Sequence, residues 1–264
     1  MSDDSETRQV LERGELSLDG RLITASNATF FGRSCLDGVE VACVYKPVRG
    51  ERPLWDFPNG TLAGREVATY VVSEFAGWHL VPATLLVEGP FGSGMVQQWI
   101  DEPDDAALVD LVPAGAVPDG WLRVLDAVDS RDESVSLVHA DHERLASMAV
   151  LDVVVNNADR KGGHVLVDAD GAVYGCDHGV TFHVEDKLRT VLWGWAGDPL
   201  AESDLEALSR LAGRLRRPAG AAALRAHLSV REVERLTARI AWLSRARTYP
   251  LPTTGWPVIP WPAF

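Results

Sequence analysis

The stretch from Leu151 to Phe182, LDVVVNNADRKGGHVLVDADGAVYGCDHGVTF, places the strongest constraint on the fold. Its apolar run Val153 to Val155 ends in a charged, glycine-containing loop. Two short β-rich runs follow, Val165 to Val167 and Val173 to Tyr174, joined by Asp168-Ala169-Asp170-Gly171. An Asp-Gly step between such runs is a strong hairpin signal. The pattern therefore predicts the end of a helix, a polar loop, a hairpin and a second polar loop.

A hairpin brings the residues at its entrance close to those at its exit. One small site would then receive two acids, two imidazoles, an arginine and a lysine: Asp159, Asp177, His164, His178, Arg160 and Lys161. Converging carboxylates with a neutral ligand suit a divalent cation, and a further acid can accept a proton from an attacking hydroxyl. Phosphoryl transfer needs these groups. The alternative is a solvated hairpin held by salt bridges.

Composition limits the classes of partner and compartment. A length of 264 residues allows one large domain or two lobes, and the net charge of -13 argues against nucleic acid and against stable association with anionic membranes. The three cysteines, Cys35, Cys43 and Cys176, are too few and too unpatterned for a disulfide framework and are typical of a reducing compartment. With an acidic start and no apolar run of membrane-spanning length, we expect a cytoplasmic protein.

The first 100 residues predict a β-rich lobe with one helix, preceded by a mobile tail over residues 1–8. Strand-like text runs from Leu16 to Val48, and two further strands are predicted at Leu85 to Val87 and Met95 to Ile100. The segment Ser26-Asn27 between strands either offers donors to phosphates or is an ordinary loop. The one helix is predicted over Leu62 to Trp78.

For each of two charged residues of this lobe, the sequence allows two structural interpretations. Lys46 ends an apolar strand, so it is either an edge residue whose amine reaches solvent or a buried cation that needs anions. Glu66, in the first turn of the helix, either complements the helix dipole or forms an ion pair with Lys46.

The second half predicts an acidic, Pro- and Gly-rich link over residues 101–120 and then a mainly helical lobe over 121–264. Four helices are predicted, at Trp121 to Val128, Asp141 to Val155, Glu202 to Arg216 and Val230 to Ala246. Ser203 and Ser229, each with a glutamate three residues later, are predicted helix caps. The Pro-rich tail cannot be helical, and Trp256 and Trp261 are expected to dock it. A ligand between two such lobes would lie in the cleft.

Four motifs in this order resemble the lipid-kinase-like branch of the protein-kinase fold, represented by type II phosphatidylinositol 4-kinases, HipA-like kinases and related actinobacterial proteins. They are Tyr45-Lys46-Pro47, the Arg65-Glu66 helix leading into Gly77 and Leu80-Val81-Pro82, Asn157-Ala158-Asp159-Arg160, and Cys176-Asp177-His178-Gly179. The resemblance covers roughly residues 20–200. It implies an α+β, two-lobed phosphatidylinositol 3-/4-kinase-like fold with a β-rich N-lobe and a mainly helical C-lobe.

The resemblance also implies roles for individual residues. Lys46 would hold the nucleotide phosphates, Glu66 would pair with it, and Ser26 and Asn27 would lie in the loop over the phosphates. Asp159 would be the catalytic acid/base, grouped with Arg160 and with Lys161 beside the γ-phosphate, and Asp177 would bind the metal. The strand residues that would face adenine are Gln97, Gln98 and Trp99.

Two features depart from the family pattern. His164 stands five residues after Asp159, where the family has a metal-binding asparagine, and the loop over the phosphates lacks the glycine pattern of protein kinases. Imidazole is a poor ligand for Mg²⁺ but an acceptable one for Mn²⁺. The metal is thus expected to be Mg²⁺ or Mn²⁺, bound by Asp177 and His164.

The sequence therefore predicts an ATP- and metal-dependent kinase whose acceptor is a hydroxyl of a soluble small molecule or a protein. Three alternatives stay open at this point. The chain could be a pseudokinase that binds nucleotide as a sensor or scaffold, a nucleotidyltransferase, or a zinc hydrolase. The residues available to a zinc hydrolase would be His164, Cys176, Asp177, His178 and His183.

Overall fold

The computed structural model of the chain describes residues 2–22, 27–52, 54, 57, 61–103, 106–255 and 257–264. Its helices and strands follow one another as α1 (Ser2–Arg13), β1 (Glu15–Arg21), β2 (Phe30–Leu36), β3 (Val39–Pro47), α2 (Leu62–Ala76), β4 (Thr84–Gly89), β5 (Gly92–Gln98), β6 (Val109–Pro113), β7 (Trp121–Val128), β8 (Ser134–Ala140), α3 (Glu143–Val155), β9 (Val165–Val167), β10 (Val173–Gly175), α4 (Glu202–Leu215), α5 (Pro218–Arg225) and α6 (Val230–Ala246). Strands dominate the first half and helices the second.

The N-terminal lobe is built on an antiparallel sheet in the order β1-β2-β3-β5-β4. Its central strand β3 places Tyr45 opposite Val96 and Lys46 opposite Met95, so Lys46 and Met95 share one face. Helix α1 packs on the sheet through Val10 and Leu11, each 2% exposed. Residues 2–8, which the sequence predicted as part of a mobile tail, therefore lie in a helix, because these two apolar side chains anchor it to the sheet.

Helix α2 lies between the sheet and the helices of the second half, where it packs against α4. Thr61 caps its first turn by accepting the Gly64 N–H, and Gly77 ends it with φ 75°, a conformation that glycine adopts without strain. The carboxylate of Glu51 accepts the backbone N–H groups of Leu62 and Ala63. These contacts fix the rotation of α2.

A second sheet, in the order β6-β8-β7, occupies residues for which the sequence predicted a link and a helix. Strand β6 lies inside the predicted link, and β7 replaces the helix predicted over Trp121 to Val128. The residues of β7 pair with β8 from Trp121 opposite Ala140 to Val128 opposite Ser134, with a register shift between Arg123 and Leu125. The helix prediction was wrong because the partner strand β8, not local spacing, determines this segment.

The C-terminal lobe packs α3, α4, α5 and α6 around a core that includes Leu145, Met148 and Leu208, which are fully buried. Helices α3, α4 and α6 lie where the sequence predicted them. Ser229 forms the predicted capping box with Glu232, whereas Ala201, not Ser203, precedes the first residue of α4. Among the described residues, the structure has no helix long and apolar enough to cross a membrane.

The predicted hairpin is confirmed as β9 and β10, with Val165 opposite Gly175 and Val167 opposite Val173. Its turn is closed by Asp168, whose carboxylate accepts backbone N–H groups two and four residues later. Below the strands, the Cys176 N–H donates to the His164 carbonyl oxygen at 3.0 Å. This bond brings the entrance and the exit of the hairpin together.

Candidate active site

A cavity of about 490 Å³ lies between the two lobes, within the usual size range of small-molecule sites. Strand β3, helix α2, the loop after α3 and the loop after β10 contribute its polar groups. Seven residues that the sequence predicted as functional line it: Asn27, Lys46, Glu66, Asp159, Lys161, His164 and Asp177. The structure thus brings together residues separated by as many as 150 positions.

Lys46 is the link between the lobes. Its Nζ lies 2.9 Å from Glu66 Oε1 and also contacts Asp177 Oδ1. Burial alone would lower the pKa of Lys46, but the negative charges of Glu66 and Asp177 raise it above its ordinary value. The lysine is therefore a cation at neutral pH, oriented by two acids from different elements. Of the two sequence interpretations of Lys46, the cation paired with anions is confirmed, and so is the ion-pair interpretation of Glu66.

Glu66 is 3% exposed and uses both carboxylate oxygens. Oε1 accepts from Lys46, and Oε2 accepts the His178 N–H at 2.7 Å. Burial raises the pKa of Glu66, while the adjacent Lys46 opposes that shift. Because its second oxygen holds the residue next to Asp177, Glu66 positions both the lysine and the loop after β10.

Asp177 has a left-handed backbone with φ 56°, which is uncommon for a residue other than glycine and tolerated best by Asp and Asn. The positive charge of Lys46 lowers the pKa of Asp177 well below its ordinary value, so the carboxylate is ionised. Its side chain is about half exposed toward the cavity. Asp177 can therefore offer carboxylate oxygen to a cation without first losing a proton.

His164 faces Asp177 from the other side of the hairpin. Its Nε2 lies 3.4 Å from Asp177 Oδ2, and its Nδ1 lies 2.9 Å from the Asp159 carbonyl oxygen. Burial lowers the pKa of His164 to about 4, so the ring is neutral at neutral pH. A neutral ring that donates Nδ1–H to the carbonyl leaves the Nε2 lone pair beside Asp177, an arrangement typical of metal-binding histidines.

The described residues could contribute two ligands to a divalent ion, Asp177 and His164, and not a complete set. Within the described part of the chain, no group of three or more His, Cys, Asp or Glu side chains could hold a metal ion by itself. Asp177 and His164 supply one oxygen and one nitrogen, a set that suits Mn²⁺ and that Mg²⁺ accepts less readily. The zinc-hydrolase interpretation needed a larger cluster, and the described structure does not form it.

Asp159 follows α3 and lies at the wall of the cavity, with its side chain about one-third exposed. Its backbone N–H donates to Asn157 Oδ1 at 3.0 Å, and its Oδ2 lies 3.7 Å from Lys161 Nζ. Burial raises the pKa of Asp159 above its ordinary value, and the positive charge of Lys161 opposes the shift. A carboxylate with a raised pKa is a better proton acceptor than a fully solvated one.

Arg160 is not part of the cavity, which corrects its grouping with the catalytic residues. Its side chain is fully buried and contacts both carboxylate oxygens of Asp152 through Nε, at 3.2 and 3.1 Å. Its Nη1 donates to the carbonyl oxygens of His164 and Cys176 at 3.0 and 3.2 Å. Arg160 therefore holds the two ends of the hairpin together, and the polarity of the loop did not reveal this.

An Arg160→Gln variant is expected to lower the free energy of unfolding by about 3 kcal/mol, because Asp152 would keep its buried charge without its cationic partner. Urea denaturation would measure the change. Arg245→Gln, which replaces an exposed arginine on α6, is the control and should leave stability nearly unchanged. An Arg160→Gln variant as stable as the wild type would contradict the anchoring role.

The strand predicted to face adenine does not reach the cavity with its side chains. Gln97 is 5% exposed and donates through Nε2 to Thr84 Oγ1 at 2.8 Å, while Trp99 donates through Nε1 to Asp101 Oδ1. Gln98 is half-buried and pairs with Cys43 through the sheet. The polar groups of Gln97 and Trp99 are thus used within their own lobe.

Of the two residues predicted in the loop over the phosphates, Asn27 lines the cavity and Ser26 lies outside the described residues.

The C-terminal tail contributes a wall that the sequence did not indicate. The Gly162 N–H donates to the Ala263 carbonyl oxygen at 2.8 Å, and a Cβ at Gly162 would lie 2.2 Å from the Phe264 ring. Phe264 lines the cavity beside the loop that carries Lys161.

Trp261, predicted to dock the tail, is 87% exposed, and Trp256 lies outside the described residues. The tail instead docks through the Val258 carbonyl, which accepts from Thr190 and from the Trp193 indole.

No family model matches the chain. Protein Rv2133c of Mycobacterium tuberculosis (strain ATCC 25618 / H37Rv) is 51% identical over 264 aligned positions, which cover 97% of this chain and 94% of that protein. The chain belongs to the family of Protein Rv2133c. The family is thus shown over nearly the whole length of the chain.

One solved structure shows the fold. The Golgi casein kinase aligns with a TM-score of 0.55 at 13% identity, covering 93% of this chain and 74% of that one. The Helicobacter pylori proinflammatory kinase CtkA aligns over 90% of this chain and 94% of that one, at 13% identity and a TM-score of 0.47. The likeness to the Golgi casein kinase shows that the chain has a two-lobed α+β kinase-like fold, as the motifs predicted. Its finer assignment to the lipid-kinase branch stays a prediction.

Proposed function

We propose that this protein is an ATP- and divalent-metal-dependent phosphotransferase that moves the γ-phosphate to a hydroxyl. The observation that carries the proposal is the contact of one partly buried lysine, Lys46, with Glu66 and with Asp177, at a cavity that Asp159 also lines. A phosphate site needs a fixed cation, a metal carboxylate and a proton acceptor within one cleft. These residues supply all three.

Each side chain has a defined task in the proposed reaction. Lys46 binds phosphate oxygens and is kept in place by Glu66, while Asp177, with His164, holds the metal. A bound divalent ion supplies charge neutralisation at the phosphates. Asp159 accepts the proton from the acceptor hydroxyl, and Lys161, 3.7 Å from it, neutralises charge that develops on the transferred group.

The acceptor that we propose is a hydroxyl of a soluble cytoplasmic small molecule or of a protein. The net charge of -13 supports this class, because anionic lipid surfaces and nucleic acids repel an acidic protein. The likeness of the motifs to lipid kinases concerns the nucleotide half of the site and carries no preference for a lipid acceptor.

Product analysis separates the proposal from its alternatives. Purified protein would be incubated with ATP and Mg²⁺ or Mn²⁺ and a panel of hydroxyl acceptors, and the nucleotide products would be separated by chromatography. We expect ADP and a phosphorylated acceptor. Pyrophosphate would instead show nucleotidyl transfer, and ATP binding without any product across the panel would favour a pseudokinase; either outcome contradicts the proposal.

An His164→Asn variant is expected to shift metal preference toward Mg²⁺, since an amide oxygen would replace the imidazole nitrogen beside Asp177. We expect the ratio of the ATP dissociation constants in Mg²⁺ and in Mn²⁺ to fall by about tenfold. Calorimetric titration with each metal would measure that ratio. His79→Asn, at an exposed position outside the cavity, is the matched control. An unchanged ratio would remove His164 from the metal site.

A further inference from the structure

A second cavity, of about 480 Å³, lies in the C-terminal lobe between α6 and the tail. Its apolar walls come from the segment after the hairpin, from α6 and from the tail: Leu188, Trp193, Trp242, Leu251 and Val258. Its volume is that of a site for a small organic molecule. Among the described residues, it shares no lining side chain with the cavity between the lobes.

One buried cation in this cavity is only partly satisfied by hydrogen bonds. Arg239 is 8% exposed, and its Nη2 donates to the His183 carbonyl oxygen at 2.6 Å. Its Nε and Nη2 each lie 3.4 Å from Asp186 Oδ1, which is long for a charge-assisted hydrogen bond. Its buried Nη1 has no hydrogen-bond partner among the described residues. A buried guanidinium normally has all of its N–H groups satisfied, so this one lacks an acceptor.

The charge around this arginine also favours an anion. Arg235, one helical turn earlier and 45% exposed, lies 3.3 Å from the same oxygen of Asp186. Two guanidinium groups thus face one carboxylate whose side chain is 70% exposed. The three groups sum to one positive charge, at a cavity of a protein whose net charge is -13.

We propose that this cavity binds a small molecule with one carboxylate on a flat apolar body. The carboxylate would take the place of Asp186 and accept hydrogen bonds from Arg239 and Arg235, since guanidinium and carboxylate match in a two-point geometry. The apolar body would lie against the indole rings of Trp193 and Trp242. Trp193 would contact the ligand through its ring and not through its N–H, because that N–H already donates to the Val258 carbonyl oxygen. The proposal does not depend on the proposed phosphotransferase activity.

A pair of probes that share one ring system tests the charge requirement. The full chain would be titrated calorimetrically with 2-naphthoate and with 2-naphthalenemethanol, which has the same rings without the charge. We expect 2-naphthoate to bind at one site and the alcohol to bind at least about tenfold more weakly. Equal affinity for both probes, or no binding of 2-naphthoate at millimolar concentration, would overturn the proposal.

Variants locate the site. Arg235→Gln and Arg239→Gln should each weaken 2-naphthoate binding by about tenfold, whereas Asp186→Asn should tighten it by removing the competing carboxylate. Because Arg235 is exposed, Arg235→Gln is expected to fold. It therefore tests the site even if Arg239→Gln does not fold. Arg245→Gln, on the same helix but outside the cavity, is the control. If Arg235→Gln bound 2-naphthoate as tightly as the wild type, the probe would bind elsewhere and the proposed site would be refuted.

Discussion

An Asp159→Asn variant is expected to transfer phosphate about 10³-fold more slowly than the wild type while binding ATP with nearly unchanged affinity. The reason is that asparagine keeps the shape of the side chain but cannot accept the proton of the acceptor hydroxyl, a contribution of about 10² to 10⁴ in rate. Initial rates with the best acceptor of the panel, together with calorimetric ATP binding, would separate the two effects.

The pH dependence gives an independent check on Asp159. Burial raises the pKa of this carboxyl above its ordinary value of 3.8, so the wild-type rate should fall on acidification at a pH above that value. The Asp159→Asn variant should lose this acidic limb. Asp170→Asn, in the exposed turn of the same hairpin, is the matched control and should keep both rate and profile. An Asp159→Asn variant as fast as the wild type would remove Asp159 from the reaction.

A Lys46→Met variant is expected to lose phosphate transfer by about 10²- to 10³-fold and to bind ATP more weakly. Methionine keeps the apolar length of the side chain but removes the cation that contacts both Glu66 and Asp177. Glu66 would then be buried without its partner, and the loop after β10 would lose one of its attachments. Steady-state rates and ATP titration would measure both consequences.

Lys46→Arg is the informative companion to that variant. It keeps the positive charge but replaces a compact ammonium with a planar fork that fits the space between Glu66 and Asp177 less well. We expect ATP binding to recover in part and transfer to stay well below wild type. If Lys46→Met retained the wild-type rate of phosphate transfer and the wild-type ATP affinity, the contacts among Lys46, Glu66 and Asp177 would have no role in catalysis.

Local sequence patterns predicted the elements on which the site is built. The Asp-Gly turn predicted the hairpin, and hairpin geometry alone placed Asp159 and His164 near Asp177. The strand that carries Lys46 and the helix that carries Glu66 were likewise predictable from periodicity and from their boundary residues. Their pairing became a strong expectation through the resemblance, because periodicity does not fix how a helix is rotated against a sheet.

The features that sequence reasoning missed depend on partners far away in the chain. Residues 121–128 have apolar spacing that suits a helix, yet pairing with β8 makes them a strand. Arg160 has the sequence context of a catalytic residue, but its side chain pairs with Asp152 of α3. Asp152 lies among apolar residues, and an acid in such a stripe was the available sign that it needs a buried cationic partner. The tail residue Phe264 reaches the cavity through long-range packing, which no local pattern records.

The central claim is that the cavity between the lobes binds ATP through a metal held at Asp177. Calorimetric titration of ATP into the wild-type protein, first without a divalent metal and then with Mg²⁺ and with Mn²⁺, beside an Asp177→Asn variant, tests it most directly. We expect one site per chain in the wild type, an affinity at least about tenfold higher with metal, and loss of that gain in Asp177→Asn. ATP binding that is absent under both metals, or equally strong in Asp177→Asn, would contradict it.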